Sequence, residues 1–152
     1  MTEKIFYLTK QGLKKLKEEY SKLLELKKAK AQDETPQALH SEELDTEFVA
    51  YREDMEFLES RIAEIEHILK HVQIISPPKD KKEVQLGAKV KLAVNGQEDE
   101  FFIVGTLEAD PNLGKISNES PVGRALIGSK EGEEVSINSE TKARYKIIKV
   151  KY

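Results

Sequence analysis

The chain has 152 residues, 35% of them charged, with a formal net charge of -3 and no cysteine. That length suits one ordinary domain or two small ones, and the lack of cysteine excludes disulfides, thiolate metal sites and thiol catalysis. The small net charge excludes chain-wide attraction to nucleic acid, so any such binding has to rest on local patches.

No apolar run approaches the roughly 20 residues that cross a bilayer. The opening MTEKIFYLTK also lacks the apolar stretch of a secretory signal. These features predict a cytoplasmic protein without membrane contact.

In chain order, the first predicted element is a helix through TKQGLKKLKEEYSKLLELKKAK, where Leu13, Leu16, Tyr20 and Leu23 share heptad spacing among good helix formers. Lys27 stands where the next apolar residue is expected, and AQDETPQ supplies almost no core. Pro36 should kink the arm or begin a new helical piece with Thr35 as its N-cap. Ser41, followed by Glu42 and Glu43, is a second N-cap signal, because acid in a first helical turn complements the helix dipole.

A second seam runs through Phe48, Tyr51, Met55, Leu58, Ile62, Ile65, Leu69 and Val72 in unbroken steps of three and four. Folding the arms together pairs Leu13 with Val72, Leu16 with Leu69, Tyr20 with Ile65 and Leu23 with Ile62. The expected turn lies close to residues 42 and 43. About 30 residues per arm, at about 1.5 Å each, would span on the order of 45 Å.

The segment SPPKDKK reads as a linker. Beyond it, Val84, Leu86, Ala88, Val90, Leu92 and Val94 alternate with polar residues, and Asn95-Gly96 signals a tight hairpin turn between antiparallel strands. SPVGRALIG predicts a short helix with Ser120 as N-cap, Pro121 at N1 and Gly128 at its end, and ARYKIIKVKY predicts a closing strand. The expected fold class is α+β: an antiparallel coiled-coil hairpin over 1–75, a linker over 76–82, and over 83–152 a small antiparallel β domain with one helix.

Charge is segregated along the hairpin. From Lys10 to Lys30 eight lysines face three acids, whereas from Ala31 to Tyr51 there are six acids and no lysine or arginine. A solvated surface accounts for such runs in most chains. Crowding like charge where the chain turns nevertheless costs stability, and it offers carboxylates to a metal or a cationic partner. His67 and His71 stand four apart, but without a third ligand they read as solvated histidines, and His40 as a surface loop residue. GRALIG lacks the spacing of a phosphate-binding loop. No nucleophile, base and orienting group recur together, so the chain does not read as a free-standing enzyme.

The order of YLTKQGLKKLKEE, EFVAYREDMEFLESRIAEIE and EADPNLGKISNESPVGRALIGSKEGEEV resembles the bacterial Gre transcript-cleavage factors, GreA more than GreB, over nearly the whole chain. The EADP and SPVGRALIG segments carry most of that resemblance. It implies an FKBP-like terminal domain without isomerase activity, which docks on bacterial RNA polymerase at its secondary channel. It also implies a coiled coil that carries tip acids to the active centre, where the polymerase itself cleaves backtracked RNA. The chain would then be a monomeric accessory factor with no cofactor of its own, and magnesium would belong to the polymerase.

On this reading Glu42, Glu43 and Asp45 are the candidate catalytic acids, with Glu43 and Asp45 as metal ligands. Lys27, Lys28 and Lys30 lie near the nascent RNA 3' end, and Ser120, Pro121 and Arg124 belong to the docking surface. The tip departs from the family pattern, approximately D-L-x-E-N-A-E-Y. One register places Ser41 and Leu44 at the tip acids, and the other places Glu43 and Thr46 there. Two functions stay open: stimulation of cleavage, or occupancy of the channel that regulates or inhibits polymerase without cleavage. An adaptor unrelated to transcription fits the terminal-domain motifs poorly.

Overall fold

The computed structural model describes residues 4–32, 42–137 and 144–152, and it describes no side chains for 42–45. The chain divides into two compact units, one formed by Leu13–His71 and the other by Met1–Gly12 together with Val72–Tyr152.

The helical unit is built from α1 (Lys10–Gln32) and α2 (Glu42–Lys70). At 29 residues α2 is about 43 Å long. The two helices run antiparallel: Glu19 pairs with Arg61, Lys27 with Glu59 and Lys30 with Asp54, so partners descend on α2 as they ascend on α1.

The core of this unit is concentrated at one end. Ile62, Ile65 and Ile68 are buried, each contributing roughly 2 kcal/mol, while α1 buries no residue completely and offers a half-covered stripe of Leu13, Leu16, Tyr20, Leu23 and Lys27. Ile68 is more buried than Leu69, the residue the heptad reading puts in the seam.

Two further expectations are corrected. The seam does not continue through Val72, because α2 stops at Lys70 and Val72 begins a strand. Residues 42 and 43 are helical, so the turn does not lie at them. Thr35, Pro36, His40 and Ser41 themselves lie outside the described residues.

In the other unit, β1 (Phe6–Leu8) pairs in parallel with β2 (Val72–Ile74), Phe6 opposite Val72. This pairing explains why the first residues group with the C-terminal part rather than with the hairpin of the expected 1–75 domain. Residues 76–82 are irregular, as a linker would be, yet they are anchored at several points. The Glu131 amide donates to the Lys82 carbonyl, the Lys82 amide to Asp80 Oδ1, and the Lys130 ammonium lies 3.8 Å from Asp80.

Five strands follow, in the order β5-β4-β3-β7-β6: β3 (Lys89–Val94), β4 (Gln97–Val104), β5 (Lys115–Ser117), β6 (Glu134–Ser136) and β7 (Arg144–Lys151). Asn95 and Gly96 both adopt positive φ, 51° and 79°, the conformation of a tight two-residue hairpin turn. β5 runs parallel to β4, so the sheet is mixed rather than wholly antiparallel. One face packs Val90, Leu92, Ile103 and Ile147 against Leu126 of α3 (Pro121–Leu126).

Candidate functional site

The tip begins at the first turn of α2. Glu42, Glu43 and Asp45 occupy helical backbone there, while the placement of their carboxylates lies outside what the structure describes. Among the described residues no group of three histidine, aspartate or glutamate side chains is arranged to hold a metal. His67 and His71 are adjacent, with ring centroids 4.6 Å apart, and His71 Nδ1 sits 2.9 Å from the His67 carbonyl oxygen. The rings are tilted by 49° to each other, and His71 lies just past the end of α2.

The three shaft lysines do not form one equivalent set. Lys27 lies 3.7 Å from Glu59, and Lys30 lies 2.8 Å from Asp54 with its ammonium 5.6 Å from the Tyr51 ring centre. Both therefore tie α1 to α2. Lys28 is exposed, with no ion-pair partner among the described residues, and is the one of the three most open to an outside phosphate.

Nearer the buried end, Arg61 donates from Nε and an Nη to both oxygens of Glu19, at 2.7 and 3.0 Å, and from its other Nη to Glu64. The Arg61 hydrogen bonds hold the Glu19 carboxyl below the usual carboxylate range, and those carboxylates push the guanidinium further up. Tyr20 donates to Glu66 at 2.9 Å, a bond that raises its phenol.

The docking candidates sit where β5 gives way to α3. Ser120 caps the helix: its hydroxyl donates to the Ser117 carbonyl at 2.6 Å and accepts from the Gly123 amide at 3.1 Å. Gly123 is required by close approach, since a Cβ there would lie 2.0 Å from the Ser117 carbonyl oxygen. Upstream, Thr106 donates to Glu119 at 2.8 Å with Ser117 Oγ 2.9 Å away, and the Glu119 amide donates to that same Ser117 hydroxyl. With its backbone held this way, the loop presents Pro121 and Arg124 to solvent. Ser120 shapes the surface from within, whereas Pro121 and Arg124 are free to touch a partner.

Sequence reasoning missed the part played by Glu108 of EADP. Thr9 is the N-cap of α1, accepting from the Gly12 amide at 3.0 Å, and Glu108 accepts both the Thr9 amide and the Thr9 hydroxyl. In a capping box a glutamate three residues into the helix accepts the cap residue's amide. Here that position is Gly12 and the carboxylate arrives from far along the chain. The conspicuous EADP motif was the only available signal, and it does not name the partner.

The comparisons with known proteins cover both halves. Residues 6–74 match the family described as transcription elongation factor, N-terminal, and residues 79–152 match transcription elongation factor, GreA/GreB, C-terminal. The chain belongs to the GreA/GreB transcription elongation factor family. It is 40% identical to transcription elongation factor GreA of Clostridium acetobutylicum, covering 98% of both chains. It is 41% identical to GreA of Lactococcus lactis subsp. cremoris strain SK11, covering 89% of this chain and 90% of that one.

Among solved structures it is similar to the GreA factor homolog 1 protein of Thermus thermophilus. The identity there is 22% and the TM-score 0.43, over 98% of this chain and 100% of that one. As a Gre family member the chain is a transcription elongation factor of the α+β class. No helix among the described residues is long and apolar enough to cross a membrane.

Proposed function

We propose that this protein binds bacterial RNA polymerase in the cytoplasm, as a monomer, and stimulates cleavage of backtracked RNA by the polymerase's own active site. The observation that carries this reading is end-to-end similarity to GreA: one chain holds both family halves and aligns with a GreA over 98% of its length. The antiparallel hairpin supports it, because the acid-rich start of α2 lies at the end of that unit opposite Leu13 and His71. Pro121 and Arg124 dock the C-terminal unit at the secondary channel, with Ser120 holding their loop, and Lys27, Lys28 and Lys30 lie nearest the RNA 3' end.

Glu42, Glu43 and Asp45 supply hard oxygen donors of the kind magnesium takes, and magnesium at the polymerase centre activates water for phosphodiester hydrolysis. The protein's contribution is delivery of carboxylates by a rod, with Glu43 and Asp45 as the ligands. It is an accessory factor rather than an enzyme.

The test is a cleavage assay on a stalled complex of the matching polymerase across a magnesium titration. The wild-type protein should accelerate cleavage, Glu43→Gln should slow it, and replacement of Glu42, Glu43 and Asp45 by amides should abolish it while binding persists. The tip's departure from the family pattern favours a second reading, and one result selects it. If the wild-type protein binds polymerase and slows synthesis without stimulating cleavage at any magnesium concentration, it is a channel occupant instead.

A further inference from the structure

The face of the five-stranded sheet turned away from the apolar core carries a second concentration of positive charge. Alternation along β3 buries Val90 and Leu92 and leaves Lys89 and Lys91 exposed. Register places Lys89 directly opposite Lys151 and Lys91 opposite Lys149 on β7, with Ala93 opposite Lys146. On the other flank Lys89 faces Phe102, which in turn faces Lys115 of β5. One row across four strands therefore reads Lys115, Phe102, Lys89, Lys151.

The acids on this face do not balance the row. Glu98 pairs with Lys91 at 3.0 Å, and Glu100 stands opposite the same lysine. Lys89, Lys149 and Lys151 have no ion-pair partner among the described residues; the Lys89 ammonium lies 5.9 Å from the centre of the Phe102 ring. A depression of about 170 Å³ opens between Lys89, Lys91, Glu100, Lys149 and Lys151.

Like charges directly opposite on a sheet destabilise it. Two such pairs stand side by side here; Glu98 and Glu100 offset the charge of Lys91, whereas no carboxylate among the described residues pairs with Lys89, Lys149 or Lys151. Local rules broken without internal gain mark surfaces kept for a partner. The required partner is polyanionic. Lysines two apart on a strand repeat about every 7 Å, a row of point charges suited to a phosphate backbone, and an aromatic ring between lysines offers a base a face to stack on.

We propose that this lysine face, centred on Lys89, Lys149 and Lys151 with Phe102 beside them, binds the phosphodiester backbone of a single nucleic-acid strand. The site is separate from the hairpin lysines and from the Ser120 to Arg124 loop, and it does not depend on the cleavage reading. It is a local basic patch on a chain of formal net charge -3.

The test measures fluorescence anisotropy of labelled single-stranded RNA and DNA 20-mers with the full chain, starting at ~50 mM salt where phosphate contacts are strongest. Equal affinity for the two assigns the site to the shared phosphate chemistry, and preference for one identifies the natural strand. The triple variant Lys89→Gln, Lys149→Gln, Lys151→Gln should bind about tenfold or more weakly, with the salt slope reduced by about 2, or about 0.7 per lost phosphate contact. Its melting temperature should stay level or rise, because like-charge pairs are relieved.

A control triple removes the same charge from exposed positions of the same unit, Lys79, Lys81 and Lys82, and should keep the wild-type slope. Equal losses in both triples would show that only net charge matters and would overturn the proposal. So would unchanged oligonucleotide binding by the lysine-face triple, or tighter binding of a polyglutamate peptide than of either oligonucleotide, which would make the face a protein interface.

Discussion

Thr9 and Glu108, 99 residues apart in the chain, are joined twice: the Thr9 amide donates to one Glu108 carboxylate oxygen at 2.8 Å and its hydroxyl to the other at 2.6 Å. Gly12 makes room for this arrangement, since a Cβ on it would lie 2.2 Å from Glu108 Oε1. A double-mutant cycle exposes the coupling. Glu108→Ala should cost about 1–3 kcal/mol by leaving two donors of the helix start without their acceptor. Gly12→Ala should destabilise the wild-type protein by displacing the carboxylate, yet stabilise the Glu108→Ala variant by up to about 1 kcal/mol through helix propensity. Thermal unfolding of the four proteins measures both signs.

Acid should weaken the helical unit through Glu19. Its folded carboxyl titrates below the ordinary value of 4.5 because Arg61 hydrogen-bonds it, so the folded state takes up this proton less readily than the unfolded state. The stabilisation is therefore complete above the ordinary carboxylate range and disappears as pH falls through and below it. The pair is partly exposed, with side-chain accessibilities of 32% and 41%, so Arg61→Ala should cost only about 1 kcal/mol near neutral pH. Circular dichroism melts at descending pH should show a smaller acid-induced loss for Glu19→Gln than for the wild type.

At the foot of α3, Gly123→Ala should be far more damaging than a helical alanine usually is. The new methyl would meet the Ser117 carbonyl oxygen and the Asn118 Cα, which are backbone atoms, so the cost should be about 2–3 kcal/mol. Ser120→Ala, which removes only the cap, should cost about 1 kcal/mol. Denaturant unfolding midpoints order the two.

Arg124→Glu should leave stability within about 0.5 kcal/mol, because the side chain is exposed and has no ion-pair partner among the described residues. The same change should lower affinity for polymerase. Competition between the variant and the wild-type protein for the polymerase reads this out, and equal competition would remove Arg124 from the docking surface.

The hairpin was legible because its apolar residues repeat at heptad spacing over many turns, and the Asn95-Gly96 turn and the Ser120-Pro121 helix start carry local chemistry that names their conformations. Heptad spacing alone could not show where the helix gives out, so Val72 read as one more seam residue although it pairs with Phe6. β1 and β2 are three residues each and exist only because distant segments meet. No window of sequence holds that information.

The same limit hid the Glu108 clamp and the lysine face. Alternating lysines were visible on β3, but their pairing with β7 depends on a register containing an irregularity between Lys91 and Leu92. The tip acids were conspicuous as composition, and their side-chain geometry lies outside the described residues. A fragment cut within the 76–82 linker would lack β1, β2 and the Thr9 partner of Glu108. Docking is therefore best tested with point variants of the full chain.

The parallel pairing of Phe6–Leu8 with Val72–Ile74 has a kinetic side. The chain between them must be closed into a loop before their bonds can form, at an entropic cost of roughly 4 kcal/mol for a flexible segment of that length. Zipping of α1 onto α2 removes most of that cost beforehand, since antiparallel helices bring the two chain ends of Leu13–His71 back together. The helical unit is thus an internal folding template for the strand pair whose sequence it interrupts, and β1 and β2 should be the last elements to gain hydrogen-exchange protection during refolding.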